Sequence, residues 1–90
     1  MKVRVELTVM EGWADHPGNR MAEHLDREYD LPAIPRKGDY LDTGRGDEPV
    51  EVVFWPMDGR APLVRLRRTY TLSESMDDVL AVLASLGWER

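Results

Sequence analysis

Pro49-Val-Glu-Val-Val-Phe-Trp-Pro-Met-Asp-Gly-Arg-Ala-Pro-Leu-Val-Arg-Leu-Arg-Arg-Thr69 is the stretch whose reading decides the fold. Val50, Val52 and Phe54 share one parity, and Glu51, Val53 and Trp55 share the other. Beyond the turn signal Asp58-Gly59, apolar Val64 and Leu66 alternate with Arg65 and Arg67. Two period-2 runs about a glycine-containing turn read as a β-hairpin. A two-residue loop centred on Asp58-Gly59 would set Val52 against Arg65 and Val50 against Arg67. A three-residue loop pairs Phe54 with Val64, Val52 with Leu66, Glu51 with Arg67 and Val53 with Arg65. The second register separates apolar from charged residues and joins opposite charges, each favourable pair contributing a few tenths to ~1 kcal/mol. It predicts a bulged turn over Asp58–Arg60.

The hairpin runs into a helix. Met76, Val79, Leu80, Leu83 and Leu86 recur at helical spacing. Thr71-x-x-Glu74 and Ser75-x-x-Asp78 are overlapping capping signals, and Asp77 and Asp78 suit a positive helix N-terminus. Gly87 suits the left-handed position after the helix, from which Trp88 folds back onto Leu83.

Upstream, Val3, Val5, Leu7 and Val9 alternate with Lys2, Arg4, Glu6 and Thr8, the pattern of a strand with one face on a core. Residues 11–18 read as a loop punctuated by Gly12, Pro17 and Gly18. Met21, Ala22, Leu25 and Tyr29 then fall at helical spacing, with Asn19 as N-cap and Glu23–Arg27 as an i,i+4 pair. This predicts a helix over 19–30 that ends before Pro32; an extended reading of Arg27–Leu31 competes. Gly38-Asp39 marks a turn, 39–43 a short strand and 44–48 a loop with two glycines. The expected fold class is α+β: one domain with an antiparallel sheet of about four strands, in chain order β-α-β-β-β-α, covered on one face by the C-terminal helix. A small SH3-like barrel plus helix is the alternative. The β-β-β-α ending resembles the double-stranded-RNA-binding architecture in outline. The acidic helix start Glu74-Ser-Met-Asp-Asp78 would repel a phosphate backbone, so that function is not carried over.

Ninety residues make a thin core, in which most large apolar side chains are needed for packing. With 42% hydrophobic residues the chain has enough apolar surface to fold. The absence of cysteine fits a reducing compartment, and charges at every second position of the N-terminus argue against a signal peptide. The longest apolar run, Val79–Leu86, falls far short of the ~20 residues a membrane helix needs. A cytoplasmic protein without membrane contact is expected.

Net charge is −5, which disfavours general binding to phosphate backbones. Residues 60–68 nonetheless carry four arginines and no acid. His16 and His24, the two histidines, have neighbouring carboxylates but no tight metal-ligand spacing, so no metal or other cofactor is expected. Ser73, Ser75 and Thr71 are better explained as caps than as nucleophiles. Gly44-Arg45-Gly46 lacks the following helix of a phosphate cradle. Arg45-Gly46-Asp47, an integrin-type string, is read as coincidence in a hairpin loop. No constellation identifies a reaction. The segment that invites a functional reading is the predicted outer hairpin face, Val53 and Trp55 among Arg65 and Arg67. A Val–Trp pair rimmed by arginine has the composition of an interface core and its rim. The expectation is therefore a non-enzymatic protein-interaction domain, with self-association as the simplest version. The alternatives are nucleic-acid binding by the arginine-rich strand, and a small enzyme or metal protein built on His16 or His24.

Overall fold

The computed structural model describes residues 1–13 and 21–90. The sequence forms β1 (Lys2–Met10), β2 (Ala22–Asp30), β3 (Tyr40–Asp42), β4 (Asp47–Phe54), β5 (Leu63–Leu66), β6 (Thr69–Tyr70) and α1 (Met76–Ser85). Strand dominates, and the sheet order is β2-β1-β5-β4-β3, with β6 also on β1. The pairing is mixed, not antiparallel throughout: β1 runs antiparallel to β2 and parallel to β5 and β6. Among the described residues no helix is long and apolar enough to cross a membrane.

β1 lies in the middle of the sheet. Val3, Val5, Leu7 and Val9 are buried, as their alternation predicts. The expected helix over 19–30 is instead β2, and Asn19 and His16 lie outside the described residues. Its nine residues pair in continuous register with β1, from Lys2↔Asp30 to Met10↔Ala22. The helical spacing of Met21, Ala22, Leu25 and Tyr29 was incidental, because a nine-residue ladder beside a buried strand outweighs weak local propensity. Leu25 points inward. Arg27 shares that face and stacks its guanidinium on the Tyr29 ring at 4.5 Å. The outer face joins complementary charges: Lys2–Glu28 at 2.9 Å and Arg4–Asp26 at 3.2 Å. With the 19–30 helix gone, the outline likeness to the RNA-binding architecture goes too.

The β4–β5 hairpin forms, but near the turn it takes the register of the two-residue loop, with Val52 against Arg65, and not the preferred three-residue one. Phe54 faces Leu63, Val53 faces Val64 and Val52 faces Arg65; Val50 then faces Leu66, across an irregularity at Glu51. The extra residue thus lies within β4, not in the turn. Pro56 and Pro62 explain this. They have no N–H for a ladder, so pairing stops at Phe54 and Leu63 and residues 55–62 form a long connection. The expected separation of apolar from charged residues is lost: Val50 and Val53 point inward, while Val52 and Phe54 share the outward face with Arg65. A second slip follows. Between Glu6↔Arg65 and Val9↔Thr69, three steps along β1 match four from β5 to β6.

Of the two capping signals only Ser75 caps α1; Thr71 is buried instead, and its hydroxyl accepts from the Gly12 N–H at 2.8 Å. The Ser75 hydroxyl accepts from the Asp78 N–H at 3.1 Å. Met76, Val79, Leu80 and Leu83 enter the core. Gly87 takes φ +96°, Gly87 N–H donates to Ala84 O and Trp88 N–H to Leu83 O, the paired bonds of a Schellman ending. Trp88 is thereby turned inward and is only 2% exposed. Its indole donates to the Thr43 carbonyl at 3.0 Å, and the Tyr29 hydroxyl donates to the Asp42 carbonyl at 2.8 Å. These bonds tie edge strand β2 and the C-terminal tail to the β3 end. The sheet is a half-barrel curled around α1, held shut by side chains where a closed barrel would use strand pairing.

Candidate functional site

Trp55 follows the last residue of β4, where Pro56 forces the chain out of the sheet. It is 66% exposed, and neighbouring Phe54 is 43% exposed. Phe54 was read as a core residue; the bulge at Glu51 turns it outward. Arg65 shares this face. Its guanidinium stacks on Phe54 at 5.1 Å and its Nε donates to Glu6 at 3.2 Å.

The other two expected site residues are elsewhere. Val53 is half-buried, packs on the core and belongs to the inner face. The same bulge is responsible. Arg67 is exposed, but it lines neither groove that borders Trp55. Its backbone N–H donates to Pro49 O, and its side chain stands near Glu48. The expected Glu51–Arg67 ladder pair is absent, since Glu51 occupies the bulge.

Trp55 is a ridge between two grooves. The larger, about 610 Å³, has Phe54, Pro56 and Leu63 as apolar walls and Arg4, Glu6 and Arg60 among its polar ones. Both arginines that line it are paired, Arg4 with Asp26 and Arg60 with Asp58 at 2.6 Å, and Arg65 nearby is paired with Glu6. The acid-free run 60–68 therefore does not make an acid-free surface, because β1 and β2 bring carboxylates to it. The smaller groove, about 350 Å³, lies between β4 and residues 34–37, with Ile34, Pro35, Val52 and Val53 beside Trp55.

Farther along the outer face, the His24 Nδ1 lies 2.9 Å from the Thr8 Oγ1. A groove of about 550 Å³ there includes Glu6, Asp26, Arg65 and Arg68. Among the described residues no three of His, Asp and Glu converge to hold a metal ion. The one carboxylate among the described residues that is displaced upward from its ordinary range is Glu48, which burial destabilises as an anion; the Thr69 hydroxyl, Arg45 and Arg67 oppose that shift. Arg45 was read as part of a plain hairpin loop. It reaches across to Thr69 Oγ1 at 3.2 Å, Tyr70 O at 3.3 Å and Glu74 Oε1 at 3.3 Å. It clamps the β3–β4 turn onto the approach to α1, which is a structural use of a cation. No family model, curated protein or solved structure matches the chain.

Proposed function

We propose that this protein is a non-enzymatic interaction domain that docks onto protein through the outer face of its β4–β5 unit. One observation carries the reading: exposed Phe54 and Trp55 stand together, and on the β5 side of Trp55 the nearby arginines Arg4, Arg60 and Arg65 are each ion-paired within the chain. An apolar aromatic centre with a polar, charge-compensated rim suits a protein surface. Nucleic acid would need cations free to displace counterions from phosphates, and Arg4, Arg60 and Arg65 are engaged.

The test is paired binding with wild type and a Trp55→Ala/Arg65→Ala variant, whose fold is checked by circular dichroism. An aromatic at the centre of an interface contributes ≥ ~2 kcal/mol, so the variant weakens self-association or partner capture roughly 30-fold or more. Equal binding by both proteins, or none by either, refutes the reading. Oligonucleotide binding that weakens steeply with salt favours the arginine strand as a nucleic-acid site instead.

A further inference from the structure

Resting on that reading, we infer that the partner is a second copy of this chain, whose α1 lies with its outer face in the groove between β4 and residues 34–37. The groove runs along the β4 edge, and its apolar lining is Ile34, Pro35, Val52, Val53 and Trp55. Arg36 and Lys37 stand on its rim, and neither makes an ion pair within 4 Å among the described residues. Glu51 is the acid in the lining, and Asp39 accepts from the Arg36 N–H at 2.8 Å in the adjoining turn without an ion pair to either cation. These two cations differ from the arginines on the other side of Trp55, which are all neutralised internally.

The complementary surface is on the same molecule. Asp77 and Asp78 open α1, both exposed and both without an ion pair among the described residues. Ala81 and Val82 follow at i+4, so the four residues form one patch on the side of α1 away from the core. Val82 is 44% exposed. An apolar helix face flanked by two anions thus meets, on another copy, an apolar groove flanked by two cations. This is helix-in-groove recognition. The contact joins two different surfaces. It produces a chain or ring of copies, or a dimer with two such contacts if a two-fold axis relates them.

A groove of this size makes a small interface, so association is weak and concentration-dependent. Salt alone is a poor test, because it weakens the local attraction while screening the repulsion between copies of charge −5. Charge exchange at fixed salt isolates the contact. Sedimentation velocity on wild type, up to about 1 mM, should show reversible self-association. Arg36→Glu/Lys37→Glu should weaken it at least tenfold, as should Asp77→Lys/Asp78→Lys. A mixture of the two variants should recover it, because each supplies the opposite charge to the other. The groove variant changes only exposed residues of a turn, so it remains informative even if lysines in the first turn of α1 unfold the helix variant. A wild type that stays monomeric at ~1 mM overturns the inference, as does association indifferent to the groove variant. A monomer whose capture of another protein still depends on Trp55 rejects the second copy but keeps the interaction reading; loss of both rejects both.

Discussion

Trp88→Phe tests how the half-barrel is held shut. The indole is buried and its Nε1–H donates to the carbonyl of Thr43, itself buried. Phenylalanine keeps a ring against Tyr29, whose centroid lies 6.0 Å away at 60° to the indole. It leaves the Thr43 carbonyl without that donor, which costs ~1–3 kcal/mol. The smaller ring also leaves a void of roughly 40 Å³, and ~24 cal/mol per Å³ adds about 1 kcal/mol. The expected loss is thus about 2–4 kcal/mol, against a total stability of roughly 5–13 kcal/mol for a chain of this length. In urea the unfolding midpoint, followed by far-ultraviolet circular dichroism, should fall by about 1–3 M. Tyr29→Phe is the internal comparison. Its hydroxyl bond to Asp42 O is solvent-accessible, so its removal should cost only ~0.5–1.5 kcal/mol. A Trp88→Phe midpoint equal to that of wild type would show that the tail does not latch the sheet.

Arg45→Ala removes three contacts from a side chain only 20% exposed, and should cost about 2–3 kcal/mol, a drop of roughly 10–20 °C in melting temperature; a shift under a few degrees would remove the clamp assigned to it. Glu48→Gln should alter the pH dependence of stability. Burial raises the Glu48 pKa in the folded state, so its contribution is fully present below the unfolded value and lost as pH rises through the folded one. The glutamine variant should therefore gain on wild type from acid to neutral pH, read from paired urea titrations; parallel curves would contradict the assignment.

The candidate site was half legible in the sequence. Trp55 stands out because Pro56 follows it and no core position is open to it. Arg65 follows from simple alternation. Phe54 and Val53 were exchanged between faces because a one-residue bulge inverts parity, and nothing in Val50-Glu-Val-Val53 marks where the extra residue goes. Pro56 and Pro62 were the readable clue that pairing ends well short of Asp58-Gly59. Arg36 and Lys37, which make no ion pair among the described residues, lie in a segment that reads only as a proline-stiffened connection.

The sequence by itself determined the elements whose causes are local. β1 follows from strict alternation, α1 from its spacing and Ser75 cap, and the inward turn of Trp88 from Gly87. Only the tertiary structure decided what depends on distant neighbours. Residues 22–30 became a strand because β1 offered an edge with a matching charge ladder, Lys2 to Glu28 and Arg4 to Asp26. The parallel pairing of β1 with β5 joins residues some sixty positions apart, which no local signal encodes. The same long-range pairing brought Glu6 to Arg65 and so neutralised one arginine of the basic stripe. Propensity and periodicity act over a few residues, whereas sheet order, register and the compensation of charge are set by which strands meet.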